Sequence, residues 1–403
     1  MAGFRRAWAE LAPHGRDPAT GGYLRFSFSP AEQACRGWFA AQAAARGMPV
    51  RHDGNGNLFA WWGDPDAGGA VLTGSHFDSV PQGGAYDGPL GIVSAFLAVD
   101  ALRRQGHRPR RPVVVAAFAE EEGGRFGVPC VGSRLFTGAL AAPEAAALRD
   151  AGGVRYADAL GAPPAGARPD LLGRIGCAVE LHVEQGRALV DRAAPVGVAT
   201  AIWPHGRWRV ELRGTADHAG TTAMGDRRDP MLAAAFLVLA AHKQARLRDA
   251  RATVGRLTVA PNATNAIPHE VVAWLDARAA DDATLDALVD AVTAQVADRT
   301  RRDGTSAVWA TESRSPRVTF DAALAARLAA LLGGAPLLPT AAGHDAGVLA
   351  AHVPTAMLFV RNPTGVSHSP AEAATDEDCA AGVGALARVL ADLTGASPAG
   401  GAA

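Results

Sequence analysis

Cysteine is scarce. The 403 residues hold four of them, and Cys35, Cys130, Cys177 and Cys379 are scattered, without the paired spacing of a disulfide framework or a thiolate zinc site. They read as reduced, mostly buried thiols of a cytoplasmic protein. Excess charge is missing as well. Thirty-nine basic residues against 40 acidic ones leave a formal net charge of -1, so no electrostatic pull toward nucleic acid or an acidic membrane is expected. The two arginines near the start, Arg5 and Arg6, are followed by no long apolar run, so neither a signal peptide nor a spanning helix is expected. Internal repeats are absent too. What is present is a chain 48% hydrophobic and 20% charged, longer than a single core usually grows, so two domains are the default.

The most informative stretch is Gly74-Ser75-His76-Phe77-Asp78-Ser79-Val80, followed by Gly83-Gly84-Ala85-Tyr86-Asp87-Gly88. A metal-binding imidazole needs its other ring nitrogen held in the right tautomer, and a nearby carboxylate is the usual means. His76 therefore reads as a ligand and Asp78 as the group that orients it. Asp87, on a glycine-rich loop, has two oxygens with which to bridge two cations. The β-branched run Pro112 to Ala119 reads as a buried strand ending in Glu120-Glu121-Glu122. Beside a metal pair, one of these carboxylates binds metal while its neighbour stays free to take a proton.

In Cys177 to Gly186, strand alternation puts Glu180, His182 and Glu184 on one face. A lone strand histidine is more often structural than a ligand, but two flanking carboxylates reverse that balance. Ser367-His368-Ser369 follows another apolar run, Thr355 to Val360. Gly343-His344-Asp345 pairs a histidine with an acid on what reads as an exposed loop ahead of a helix. All of these groups fall at or just past the carboxyl ends of expected strands, the edge where open α/β sheets bind ligands.

The order and content of these motifs resemble the hydantoinase/carbamoylase branch of the dinuclear-metal amidohydrolases. Further matching stretches are Asp217-His218-Ala219-Gly220-Thr221-Thr222 and Pro261-Asn262-Ala263-Thr264-Asn265, and the match runs from about residue 20 to about residue 390. The resemblance implies an α/β catalytic domain, a mixed sheet flanked by helices of the phosphorylase/hydrolase-like kind, with an inserted smaller α+β dimerisation (lid) domain. It implies two divalent ions, one held by His76, Asp87 and His182 and the other by Asp87, Glu122 and His368, with Asp87 bridging. Glu121 is then the general base. His218 polarises the scissile carbonyl from across a homodimer, Asn265 and Arg278 hold a substrate carboxylate, and Gln185 and His344 are further substrate contacts. Imidazole and carboxylate donors suit zinc first, and manganese, cobalt or nickel as well.

The implied reaction is hydrolysis of the linear C–N bond of allantoate or an N-carbamoyl-L-amino acid, releasing ammonia and carbon dioxide. Deacylation of N-formyl or N-acyl amino acids is the sibling reading. His182 argues against an aminoacylase or peptidase, where an acid usually stands. A metal-free binding or sensor protein would have lost ligands that are all present here. Two departures from the family pattern, Ala223 in place of proline and His269 in place of glycine, bear on pocket shape rather than on the metals.

The pattern divides the chain into a catalytic domain of residues 1–206 and 318–403 and an inserted unit of residues 207–317. Helical spacing is expected up to about Gly47 and over Gly91 to Arg104, with a strand over Asn57 to Trp62 between them. The inserted unit reads as strands near Trp208–Leu212, Thr253–Val259 and Val271–Ala277 with helices over Pro230–Ala245 and Asp282–Arg299. The small-residue tail from Ala396 is expected to be disordered.

Overall fold

The computed structural model describes residues 2–395, so the tail expectation from Ala396 lies outside the described residues. The chain forms two compact units, one of residues 1–200 and 319–403 and the other of residues 201–318.

The larger unit is built on a nine-stranded mixed sheet. Its centre is parallel: Ala70–His76 lies between Val113–Phe118 and Ile175–Val183, and Thr355–Val360 adds to the far side of Ile175–Val183. Antiparallel strands, including Leu58–Trp62 and Val196–Ile202, extend it at either side. The central strands are apolar almost throughout because both faces are covered. Along Val113–Phe118 the side chains alternate between two cores. Val113, Val115 and Ala117 pack with helices Pro30–Ala45, Pro89–Arg104 and Asp376–Thr394, while Val114, Ala116 and Phe118 pack with Phe136, Leu171 and Leu349 on the other face.

Local chemistry fixes the element ends. Pro89 opens its helix just after Gly88, whose φ of 82 no other residue adopts cheaply. Ser29 caps Pro30–Ala45 by accepting from the Glu32 amide. The opening region is two helices, Ala2–Leu11 and Pro30–Ala45, separated by turns that include Gly15 and Gly21 in the left-handed region.

The smaller unit is an antiparallel sheet in the order Ser306–Ser315, His205–Arg213, Glu270–Arg278, Arg251–Ala260. Helices Pro230–Leu247 and Asp282–Asp303 supply Leu237, Leu285 and Val292 to a core shared with Val210, Leu212, Val271 and Leu275. A short ladder pairs Asp217–His218 with Ala266–Ile267. The strand Ser306–Ser315 is an addition to the sequence expectation. It is an edge strand in which no residue is fully buried and Ala310 to Ser313 are exposed in succession, and its composition carries little apolar signal.

Among the described residues no helix is long and apolar enough to cross a membrane. All four cysteines are free and buried.

Candidate metal centre

The site forms where the parallel strands end. His76 is the last residue of its strand, Glu120 to Glu122 come one residue past the strand that ends at Phe118, His182 precedes Val183, and His368 lies on the loop beyond Val360. Asp87 sits among them with its two oxygens turned to different histidines. Its Oδ1 is 3.5 Å from His76 Nε2 and 3.2 Å from His182 Nε2. Its Oδ2 is 3.5 Å from His368 Nε2, which is also 3.2 Å from Glu122 Oε2. Of three groups able to hold a cation among the described residues, two share Asp87, namely His76–Asp87–His182 and Asp87–Glu122–His368, while the buried Glu180–His182–His344 shares His182 with the first. The first is buried, while His368 leaves the second half-open.

The donor chemistry fits metal ions. His76 Nδ1 bonds the Asp78 carbonyl at 3.0 Å and His182 Nδ1 the Val183 carbonyl at 2.9 Å. Each Nδ1 therefore keeps its proton whatever Nε2 does, and a cation in this place would meet both rings through Nε2. Without one, burial opposes charge on both rings, but Glu121 and Asp87 outweigh it at His76 and Asp87 at His182. Both Nε2 atoms are buried with no hydrogen-bond partner. The ion-pair partners of Asp87, Glu121 and Glu122 are histidines. Buried negative charge without a cation is costly, and the titration behaviour reflects this. Burial opposes charge on Asp87, but His182 and His76 outweigh it and hold that carboxyl well below the usual range. Burial pushes Glu121 well up, with Asp345, Glu122 and Asp78 adding to it against His76. The hydrogen bond to Glu122 raises His368 to about 9.

Glu121 Oε2 stands 3.7 Å from His76 Nε2. The third acid of the run, Glu120, faces away. Its Oε1 accepts the amides of Arg125 and Phe126 and so ties down the following loop.

Several residues act differently from the expectation. Asp78 orients His76 through its main-chain carbonyl, its carboxylate being 3.7 Å from the ring. That carboxylate instead accepts the amides of Glu121 and Glu122 at 3.2 and 3.1 Å. The three residues expected on one strand face divide their tasks. His182 joins the cation group, Glu180 accepts from Ser75 Oγ and the Ala346 amide, and Glu184 caps Ala188–Asp191. Gln185 donates to Asp87 Oδ2 at 2.7 Å and to Ser367 Oγ, so it holds the shared carboxylate.

His344 and Asp345 are not on an exposed loop. They are 3% and 0% exposed, because the helix Asp345–Leu349 packs into the core beneath the sheet edge. The His344 ring lies 4.5 Å from that of His182 with neither nitrogen bonded, and burial keeps it neutral.

One positioning residue, Glu372, lies four residues past His368 and was given no role by the sequence. Glu372 Oε1 accepts the amides of Tyr86 and Asp87 at 2.8 and 3.0 Å and fixes the Asp87 loop. Gly84 makes room for it, since a Cβ there would lie 2.1 Å from Glu372 Cδ.

His218, Asn265 and Arg278 belong to the smaller unit. The short ladder brings His218 opposite Ala266, and the Ala219 amide donates to the Asn265 carbonyl. His218 Nδ1 accepts from the amides of Gly220 and Thr221 at 3.0 and 3.2 Å. The proton of the neutral ring therefore sits on Nε2, which is left as a donor. Arg278 forks onto Asp276 at 3.0 and 3.3 Å.

Comparison with known proteins gives these arrangements a lineage. A family model described as peptidase family M20/M25/M40 matches residues 72–392. The N-carbamoyl-L-amino acid amidohydrolase of Geobacillus stearothermophilus is 37% identical over 391 residues, 94% of each chain. The allantoate amidohydrolase of Escherichia coli K12 is 34% identical over 411 residues, 97% of this chain and 98% of that one. A solved hydantoinase/carbamoylase family amidase from Burkholderia vietnamiensis superposes with a TM-score of 0.87 at 30% identity, covering 98% of both chains. The chain belongs to the peptidase family M20/M25/M40, within its hydantoinase/carbamoylase branch.

Proposed function

We propose that this protein is a metal-dependent amidohydrolase that cleaves the linear C–N bond of a ureido compound, allantoate or an N-carbamoyl-L-amino acid, to release ammonia and carbon dioxide. The observation that carries this reading is the buried carboxylate of Asp87, whose two oxygens face separate histidine groups beside a carboxyl group with raised proton affinity. The ligands are His76, Asp87 and His182 on one side and Asp87, Glu122 and His368 on the other. Zinc is the cation the donors suit first, with manganese, cobalt or nickel as alternatives. A cation pair held there supplies Lewis acidity, which makes water nucleophilic at neutral pH and polarises a carbonyl.

The chain's own residues do the rest. Glu121 takes the proton of the attacking water and returns it to the leaving nitrogen, a task that its burial and raised proton affinity favour. His218 donates its Nε2–H to the developing oxyanion. Asn265 and Arg278 hold the substrate carboxylate, Arg278 sharing its guanidinium with Asp276. His344, with two free ring nitrogens, contacts the ureido group, and Gln185 reaches substrate from its place on Asp87.

The smaller unit is the dimerisation domain in this reading. Its helix Pro230–Leu247 exposes Leu232, Val238, Leu239 and Leu247, an apolar stripe on the side away from its core, and a second copy of the chain would cover it. The free, buried cysteines agree with a cytoplasmic location.

The test is ammonia release by the manganese- or zinc-loaded protein from allantoate, N-carbamoyl-L-amino acids and N-carbamoyl-β-alanine, with free-amine detection on N-formyl and N-acetyl amino acids. One strong ureido substrate is expected. Turnover confined to the formyl or acetyl compounds would replace this reading by deacylation, and silence with metal bound would overturn it. Glu121→Gln should keep its metal and lose turnover by about a hundredfold or more.

A further inference from the structure

Cys130 is a buried polar group that the proposed reaction does not use. Its thiol lies 3.6 Å from Glu121 Oε1 and donates to it. Cys130 is 7% exposed and Glu121 6%, so water hardly competes for that oxygen. The same residues are tied through their main chains. The amides of Cys130, Val131 and Gly132 donate at 2.8, 3.0 and 2.8 Å to the carbonyls of Glu121, Glu120 and Ala119. N–H groups at the start of the helix Val131–Thr137 are thereby satisfied by the strand end that carries the acids. Cys130 makes this turn at a φ of 55, a left-handed conformation that costs a non-glycine residue energy. From the other side, Asp78 accepts the Glu121 amide. Glu121 is thus held at its N–H, at its C=O and at one carboxylate oxygen. Only Oε2 is left, turned toward His76.

We propose that Cys130 is a positioning residue for the proton transfer, its thiol holding Oε1 of Glu121 so that Oε2 alone receives and returns the proton. This rests on Glu121 being the base proposed above. The thiol keeps its own proton, since burial and the neighbouring Glu121 push it well above the usual range, and it is therefore a steady donor.

The test compares metal-loaded wild type with Cys130→Ala and Cys130→Ser. The alanine variant should lose about three- to tenfold in kcat, the scale of one ordinary hydrogen bond, since a thiol is a weak donor, with KM and metal content unchanged. Serine, which donates through its hydroxyl, should restore kcat to within about twofold. An alanine variant with wild-type kcat overturns the proposal, whatever its melting temperature. Loss of metal from it does the same, because the thiol would then be supporting a ligand. A second readout does not depend on turnover. The infrared S–H stretching band that Cys130→Ala removes should lie at the low frequency of a hydrogen-bonded thiol and shift in Glu121→Gln. A band unmoved by Glu121→Gln shows that the contact is absent. If Glu121→Gln keeps its turnover while the band shifts, the assignment of the base has failed and the contact has not, so the two failures are told apart.

Discussion

Replacing Glu372 by alanine should weaken cation binding without touching any proposed ligand. Its Oε1 accepts two backbone amides, those of Tyr86 and Asp87, and the residue is 5% exposed. A hydrogen bond to a charged acceptor contributes about 1.5–3 kcal/mol net. Taking the lower figure for both bonds, because the loop can turn partly to water once freed, gives about 3 kcal/mol. At about 1.4 kcal/mol per decade this is on the order of a hundredfold in affinity, at the upper end of what outer-shell changes at metal sites usually cost. Burial, with Asp87 adding to it, pushes the Glu372 carboxyl up to about 7, so glutamine imitates a form the residue readily adopts. Glu372→Gln keeps an acceptor oxygen and should recover most of the affinity. The assay is competition for zinc against a chromophoric chelator, with circular dichroism to verify the fold. If Glu372→Ala binds both ions as tightly as wild type, the loop is held by something else and the reasoning about Asp87 is wrong.

Gly88→Ala should lower both the melting temperature and cation affinity, at roughly 1–3 kcal/mol, since its φ is 82 and a Cβ would lie 2.5 Å from His76 Cε1. Gly47→Ala is the control: its φ is 60 with nothing within 4 Å, so thermal melts should show strain alone and cation titrations no change. His218→Ala should reduce kcat by about a hundredfold or more with metal content, read by elemental analysis, unchanged; loss of metal would mean that the histidines have been divided wrongly. Leu239→Asp, on the exposed stripe of Pro230–Leu247, should shift sedimentation toward monomer, and an unchanged dimer would exclude that face.

The residues that the structure gathers into candidate cation groups were legible because histidine is scarce and these residues fall at or near strand ends. His76 and His182 lie near the ends of apolar strand-like runs, Glu122 and His368 come after such runs, and Asp87 stands on the glycine-rich loop that follows His76. Roles that act through the main chain were not legible. The Asp78 carboxylate and Glu372 serve amides distant in sequence, and an amide leaves no trace in residue identity. His344 and Asp345 read as exposed because Gly343 and a charged pair suggest a turn, whereas a five-residue helix carries them inward. The edge strand Ser306–Ser315 went unread because its apolar content is low where one face and one edge are wet.

The pairing of Thr355–Val360 with Ile175–Val183 has a consequence for how the molecule is made. Those strands are adjacent in the sheet but separated in the chain by the whole smaller unit. During synthesis the edge of Ile175–Val183 stays open until its partner emerges, on the order of ten seconds or more at ordinary elongation rates. The inserted unit, complete within one continuous segment, is free to fold during that wait. His368 and Glu372 emerge later still, so a nascent chain has His76, Asp87 and His182 but not the full set. In the proposed reading the second cation group therefore stays incomplete until His368 has emerged, and a chain truncated before His368 should be inert however well its first half folds.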